Sequence, residues 1–372
     1  MRSSALRTVM AAMAILIAGC SPSPQPRPTP AEPTSEVAAG TTAPSPQPSP
    51  TVTLGKFPAF PRGPLPESVA ASLQAVLDEA LEQGPFLGVT AAVIVADSGS
   101  WSGATGVDLQ GDPLTPDARL HIASVGKTVT AAQVLRLVEE GKLGLDDPVA
   151  DYLPREIAFF DANGATIRDV LGMRSGIPDP PGYEALVDTG STPAQLLKRT
   201  FGPLFPAGSR ISYANINYIL LGTIIEHITG RPLSEALRSG VLDRPGLDGL
   251  VYRVKDALAA DGWNIESDPA TLARWGYQLY GGFVLSDASL GQMTDFRGDW
   301  YGLGAIDFSQ GTPAVVGGYG IPAIGHGGLE PPLAAMLVAF PQAGVVVAVQ
   351  APVGTISQVA TVVGALRDAA QP

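Results

Sequence analysis

The chain has 372 residues, of which 45% are hydrophobic and 16% charged, and its formal net charge is −12. The length allows one large domain or two smaller ones, and the composition is ordinary for a protein with a sizeable core. An acidic surface repels a phosphate backbone, so no nucleic-acid partner is expected. The single cysteine, Cys20, excludes an internal disulfide framework. The three histidines, His121, His227 and His326, lack the spacing of a zinc site, so we expect no metal.

The N-terminal segment is typical of a secretory signal. Arg2 and Arg7 flank the start of an apolar run over residues 9–18, which is short for a membrane span but fits a signal-peptide core. The run leads into IAGC, ending at Cys20, which resembles the lipobox of bacterial lipoproteins. This resemblance implies a signal peptide over residues 1–19, a lipid on Cys20 and an extracytoplasmic protein anchored to the cell membrane. An ordinary secretory peptide with a stray cysteine is the alternative.

The next segment, residues 20–63, is predicted to be a disordered linker rich in Pro, Ser and Thr, because it has too little apolar surface to offset its ordering entropy. Residues 64–372 are predicted to form one folded domain. Its first elements are a helix over residues 67–83 and strands over residues 89–96 and 101–106. A second helix is predicted over residues 125–140, where apolar residues recur at helical spacing and Gly141 ends the pattern.

The middle of the domain, about residues 141–280, is predicted to be a mostly helical insertion, with its clearest helices at residues 218–227 and 269–279. Strands follow at residues 334–340 and 345–349, divided by the hairpin signal PQAG, and a last helix covers residues 356–369. The sequence therefore predicts an α/β (α+β) fold: an antiparallel sheet built from both termini, flanking helices and a helical inserted region.

A Ser-x-x-Lys pattern is the first candidate for a catalytic motif. Ser124 and Lys127 are three residues apart at the predicted start of a helix, so their side chains share one face. A serine hydroxyl is a weak nucleophile that needs a base, and lysine serves if its surroundings favour the neutral amine. The free N–H groups of a helix start suit the negative charge that develops on a carbonyl oxygen under attack. An N-cap serine followed by a solvated lysine is the alternative.

Two further segments support the first. Tyr213 and Asn215 follow a loop signature and precede a predicted helix, which places a phenol for proton transfer and an amide for binding Lys127 and substrate. His326, Gly327 and Gly328 lie on a predicted strand, where paired glycines often mark the close approach of a ligand. A buried tyrosine with a satisfied hydroxyl and a loop with an exposed histidine are the alternatives. The remaining histidines are interpreted as structural: His121 in core or strand packing, His227 on a helix.

The three motifs, in this order, resemble those of the penicillin-recognising serine hydrolases, within the group of class C β-lactamases and D-alanyl-D-alanine carboxypeptidases. Flanking segments such as LHIASVGK from residue 120 and YANINYILLG from residue 213 are similar too. The resemblance covers about residues 65–365. It implies the β-lactamase/transpeptidase fold, an acyl-enzyme on Ser124, and no metal or organic cofactor.

The same resemblance assigns roles to individual residues. Lys127 and Tyr213 would share the acid and base work, and Asn215 would orient the substrate. The backbone N–H groups of Ser124 and Leu329 would form the oxyanion hole. His326, Gly327 and Gly328 would line the substrate site.

The third motif departs from the usual pattern of the group. A cation and a hydroxyl normally help to hold the substrate carboxylate there, whereas His326 is mostly neutral near pH 7 and Gly327 has no hydroxyl. We therefore expect small ester or amide substrates to be favoured over anionic β-lactams, with cell-wall peptide as a further candidate. The alternative from another class is a catalytically silent lipoprotein of this fold that binds cell-wall fragments or a protein partner. The sequence does not determine the oligomeric state.

Overall fold

The computed structural model describes residues 54–371. The predicted signal peptide, Cys20 and the linker up to residue 53 lie outside the described residues. Within the described part, no helix combines the length and apolarity that a membrane crossing requires.

Nine strands are found in the described chain, and their bounds are β1 Gly88–Val95, β2 Gly99–Gly106, β3 Leu120–His121, β4 Val251–Tyr252, β5 Ile265–Ser267, β6 Ile306–Asp307, β7 Ile324–Glu330, β8 Leu333–Phe340 and β9 Val345–Ala351. Six of them form one antiparallel sheet in the order β2-β1-β9-β8-β7-β6. Strands from the two ends of the domain meet where β1 pairs with β9. The predicted fold class is therefore confirmed. The remaining three strands form a small sheet in the order β3-β5-β4.

Ten α-helices accompany these strands in residues 54–371: α1 Glu67–Gln83, α2 Lys127–Glu139, α3 Ile167–Leu171, α4 Tyr183–Asp188, α5 Pro193–Arg199, α6 Ile216–Thr229, α7 Leu233–Ser239, α8 Pro269–Tyr280, α9 Asp287–Met293 and α10 Ile356–Ala369. Several of these helices begin at a Ser, Thr or Asp residue whose side chain accepts a hydrogen bond from a backbone N–H of the first turn. At α10, for example, Thr355 accepts a hydrogen bond from the backbone N–H of Gln358, whose side chain in turn accepts from the N–H of Thr355.

The large sheet is covered on both faces, because alternate residues of its central strands point to opposite sides. On one side, Met336 and Phe340 of β8 face α10 through Tyr319, which donates its hydroxyl to the backbone of α10. On the other side, Leu337 and Val346 approach Gly276 of α8 so closely that a side chain there would collide with them. The central strand β9 is consequently buried along its whole length.

The folded domain starts earlier than predicted. Phe57 is buried, and its ring lies 4.8 Å from that of Tyr277 on α8. Phe60 packs edge-on against the same tyrosine, and the guanidinium of Arg274 lies 3.6 Å from the ring of Phe60. Residues 54–63 are therefore part of the packed structure. The prediction of a disordered linker up to residue 63 was wrong for these residues, because it relied on the proline-rich composition and did not consider that Phe57 and Phe60 could pack on the domain.

Candidate active site

Ser124 lies in a short 3₁₀ turn, Ala123–Gly126, and α2 begins only at Lys127. The predicted helix over residues 125–140 is therefore present as α2, except that its first two residues belong to the 3₁₀ turn. Ala123, just before the serine, has a φ of 46°, a left-handed conformation that is unfavourable for alanine. Such a conformation persists only where the surroundings enforce it.

Three glycines enforce this turn. A side chain at Gly262 would come within 1.8 Å of the carbonyl oxygen of Ala123, and one at Gly328 within 2.1 Å of that of Ile122. A side chain at Gly126 would in turn collide with Gly262. Gly126, whose presence in a helical pattern is otherwise unfavourable, is thus required for close packing beneath the serine.

Lys127 is fully buried beneath Ser124. Its Nζ lies 2.9 Å from Ser124 Oγ, 2.8 Å from Asn215 Oδ1 and 2.7 Å from the backbone oxygen of Asp261. The expected contact between Lys127 and Asn215 is therefore present. Asp261 was not predicted, and it lies 134 positions away in the chain, so no local pattern could reveal it.

Tyr213 and Asn215 lie just before α6, at the edge of the cleft above Lys127. The ring of Tyr213 is 5.2 Å from Lys127 Nζ, and 38% of the residue is exposed. The backbone N–H of Ile216 donates to Asp179 Oδ1, which fixes the segment from below. Burial raises the pKa of Asp179, although backbone hydrogen bonds and the charge of Lys127 oppose that effect.

His326 belongs to the wall of the cleft. It is 1% exposed, and its Nδ1 lies 2.6 Å from the oxygen of Gly327, which can only accept. Nδ1 therefore carries the proton, and Nε2 accepts from the Tyr301 hydroxyl at 3.2 Å. Burial, assisted by the charge of Lys127, lowers the pKa of His326 to about 3, so the ring is neutral at pH 7. With both nitrogens engaged within the protein, His326 meets the cleft through its ring.

Leu329 lies on β7, with its side chain 45% exposed at the cleft. The N–H of Phe308 donates a hydrogen bond to the backbone oxygen of Ala323. In an antiparallel pair, the N–H and C=O groups of every second residue point to the same neighbouring strand. Every second residue of this strand from 323 onward, Leu329 included, therefore directs its N–H towards the β6 side. Since β6 ends at Asp307, the N–H of Leu329 points to the open part of this edge within the described chain. The serine turn packs against the same strand at Gly328. This arrangement is suited to an oxyanion hole.

The cleft itself has a volume of about 500 Å³. Its lining includes Ser124, Tyr213 and Asn215, together with His326, Gly327 and Leu329 of β7. Its remaining lining is mostly apolar: Trp300, Ile306, Phe308, Thr312, Pro313, Ala314 and Ile356. Among the described residues, no Asp, Glu, Lys or Arg lines it. The apolar wall comes mainly from residues 300–314, a segment in which no site residue was predicted.

The other two histidines lie outside this cleft lining. His227 is exposed on α6, as a helix residue. His121 lies on β3, but its ring contacts Glu330 and Glu266 and is not packed in an apolar core. The prediction of core or strand packing was therefore right about the strand and wrong about the surroundings.

Comparison with known proteins decides the family. The model of the Beta-lactamase family matches residues 73–352. The chain belongs to this family. The assignment to the β-lactamase-related serine hydrolases is thereby confirmed, together with the expected fold.

Relatives within the family carry different hydrolase names. Esterase EstB of Burkholderia gladioli is 32% identical over 203 residues, which are 48% of this chain and 50% of the esterase. Penicillin-binding protein 4 of Amycolatopsis lactamdurans is 34% identical over 156 residues, 40% of each chain. The matched segments thus span half or less of these relatives.

Solved structures share the fold over a larger part. D-amino acid amidase from Ochrobactrum anthropi SV3, complexed with D-phenylalanine, superposes with a TM-score of 0.66 at 21% identity. The superposition covers 81% of this chain and 98% of the amidase. At this identity the likeness concerns the fold alone.

Proposed function

We propose that this chain is an extracytoplasmic serine hydrolase that acts on small, uncharged esters and amides through an acyl-enzyme on Ser124. The observation that carries the proposal is the contact of 2.9 Å between Ser124 Oγ and the Nζ of Lys127, a side chain with no solvent exposure. A base within hydrogen-bond distance of a hydroxyl is the arrangement that nucleophilic catalysis requires.

The partners of Lys127 support a role of the amine as that base. Asn215 Oδ1 and the backbone oxygen of Asp261 can only accept hydrogen bonds. When the ammonium group has given up one proton, the amine has two N–H donors and one lone pair, and the two donors are used by these oxygens. The lone pair is then left for Ser124 Oγ, whose proton it accepts as the oxygen attacks the substrate carbonyl.

The remaining steps follow from the groups around the cleft. The backbone N–H groups of Ser124 and Leu329 donate hydrogen bonds to the negatively charged oxygen of the tetrahedral intermediate and stabilise it. Tyr213, beside Lys127, passes the proton to the departing alcohol or amine. A water molecule then enters, gives a proton to Lys127 and attacks the acyl carbon. The bond from that carbon to Ser124 Oγ breaks, Oγ takes the proton back, and a carboxylic acid is released.

The lining of the cleft supports uncharged substrates. A β-lactam and the cell-wall peptide considered above both carry a carboxylate, and an amide of a free amino acid carries an ammonium group. Each needs an opposite charge nearby, because burying an unpaired ion is costly. The described lining offers no ionised side chain for either, and His326 is neutral. The apolar side chains of Trp300 and Phe308 suit an apolar acyl group instead.

The proposed location is outside the cytoplasmic membrane, with the lipid on Cys20 as anchor. The support is the lipobox-like IAGC and the apolar run before it, both in the sequence outside the described residues. Metabolic labelling with a palmitate analogue, compared between the wild type and Cys20→Ala, tests it. Equal labelling of both proteins would contradict the anchor.

Activity is tested by incubating the soluble domain with a fluorophosphonate probe. Labelling of the wild type and none of Ser124→Ala is expected. No labelling of either protein would favour the catalytically silent binder.

Substrate class is tested by comparing kcat/KM for three chromogenic substrates: a short-chain nitrophenyl ester, a cephalosporin, and the nitroanilide of a D-amino acid with a free amino group. We expect the uncharged ester to be preferred over both ionised substrates. Efficient turnover of the cephalosporin would contradict the proposed substrate class.

A further inference from the structure

The His121 side chain lies between two carboxylates that come from distant parts of the chain. Its Nδ1 is 3.0 Å from Glu330 Oε1, at the end of β7, and its Nε2 is 3.4 Å from Glu266 Oε1, on β5. The second oxygen of Glu266 pairs with Arg253. These are the charged groups that face the imidazole from the neighbouring strands.

This geometry favours a doubly protonated ring. Ionised carboxylates only accept hydrogen bonds, so Nδ1 donates to Glu330, and Nε2 lies within ion-pair distance of the second carboxylate, that of Glu266. The Glu330 side chain is only 18% exposed, and its Oε2 is buried with no hydrogen-bond partner among the described residues. Its charge therefore depends on His121 for compensation. The hydrogen bond to Glu330 raises the pKa of His121, against the effect of burial, and the charges of Glu330 and Glu266 add to the rise.

The position of this pair matters because each partner lies close in the chain to a residue of the proposed oxyanion hole. Glu330 follows Leu329 directly, and His121 precedes Ser124 by three positions. Between them, Gly328 packs on the carbonyl of Ile122 with no room for a side chain. The strand that carries one N–H donor and the segment that carries the other are thus joined at two successive points.

We propose that His121, as an imidazolium bonded to Glu330, is a positioning residue that holds the N–H groups of Ser124 and Leu329 at the spacing needed to bind an oxyanion. The proposal rests on the proposed function. His121 does not touch the substrate and acts through the backbone of its neighbours.

The direction of the pH effect follows from the protonation state. The imidazolium is present below the pKa of His121 and is lost as the pH rises through that value. Above it, Nδ1 still donates one hydrogen bond, but the charge that compensates Glu330 is gone. The oxyanion hole should then be held less firmly, and a displacement of the donors lowers kcat more than it raises KM.

The test compares kcat across pH for the wild type, His121→Gln and Glu330→Gln, with His227→Gln as the matched control on the exposed face of α6. The ratio of wild-type to variant kcat cancels any pH dependence that the variants share with the wild type. For both site variants we expect a ratio of about tenfold at pH values below the pKa of His121, falling towards one at pH values above it. A ratio that is constant with pH, or equal to one throughout, would overturn the proposal.

A second measurement does not depend on activity. The imidazole C–H resonances of the histidines, followed by NMR as the pH is changed, give the pKa of His121 directly. We expect it to lie above the ordinary 6.5 in the wild type and to fall in Glu330→Gln. The same pKa in both proteins would overturn the proposal. Failure of fluorophosphonate labelling in the wild type would instead contradict the proposed function, so the two failures are distinguishable.

Discussion

The floor and the rim of the cleft are built differently. At the floor, Lys127 has no exposure, and three hydrogen bonds of 2.7 to 2.9 Å surround its amine. At the rim, Tyr213 is 38% exposed and Leu329 is 45% exposed, and the apolar wall lies in the segment from Trp300 to Ala314. The floor is fixed by packing and fully satisfied polar groups, whereas the rim includes partly exposed side chains such as those of Tyr213 and Leu329.

The catalytic groups and the groups that select the substrate therefore lie in different parts of the cleft. A fully satisfied buried polar cluster allows few substitutions, because each change leaves a partner unpaired. Exposed apolar side chains are replaced at little cost in stability. We therefore expect substitutions at the floor to abolish the reaction, and substitutions of apolar side chains at the rim to change which substrate is preferred.

The largest effect is expected for Lys127→Ala. The variant lacks the base and leaves Asn215 Oδ1 and the oxygen of Asp261 without their donor, so kcat/KM for an ester should fall by at least about 10³-fold. The measurement is steady-state hydrolysis, with Lys198→Ala, an exposed lysine, as control. Near-normal activity of Lys127→Ala in a folded protein would show that the floor does not supply the base.

Tyr213→Phe tests where the floor meets the rim. The ring keeps its edge-on contacts with Tyr301 and its approach to His326, so stability should hardly change. Loss of the proton donor should lower kcat by about 10²- to 10³-fold. Tyr252→Phe is the matched control, because that hydroxyl is buried without a hydrogen-bond partner in the described structure. Similar kcat values for the two variants would exclude proton transfer by Tyr213.

Gly328→Ala tests the close packing between strand and serine turn. The added methyl group would collide with the carbonyl of Ile122 and push the turn from β7, which should lower kcat by about 10- to 100-fold. Gly291→Ala on α9 is the control, since nothing lies within 4 Å of its added carbon. Thermal unfolding of both variants separates displacement of the turn from general destabilisation. Equal kcat values would show that the approach at Gly328 has no catalytic importance.

The smallest effect is expected at the rim. Leu329→Ala keeps the backbone N–H and removes only apolar contact surface, so kcat for a short acetyl ester should be nearly unchanged. The preference for longer acyl chains should fall severalfold, because each buried methylene contributes about 0.8 kcal/mol. The measurement is kcat/KM for a series of nitrophenyl esters of increasing chain length. A uniform loss across the series would place Leu329 at the floor instead.

Much of the fold was predictable from local pattern. The bounds of α1 and α10 match the predicted helices at both ends, because amphipathic spacing and capping signals are local. The two- and three-residue strands of the small sheet were not predicted, since so short a run carries no periodicity. The buried aromatic anchor Phe57 was masked by the prolines around it.

The residues of the site also divide into those that a local pattern predicts and those that it does not. Ser124 and Lys127 form one local motif in the chain, and Tyr213 and Asn215 form a second. The supporting contacts of Asp261 and Glu330 join segments more than a hundred residues apart, so only the folded chain brings them together. The need for glycine at a single position such as Gly262 becomes clear only from the folded structure, where the backbone of another segment packs too closely for a side chain.

The most direct test of the account is to mix the purified protein with a slowly deacylating nitrophenyl ester, quench it in acid and map the acylated peptide by mass spectrometry. The account predicts the mass of one acyl group on the peptide that contains Ser124, and its absence from Lys127→Ala quenched at the same time. An acyl group on any other residue, or hydrolysis with no acylated peptide at any time point, would contradict it.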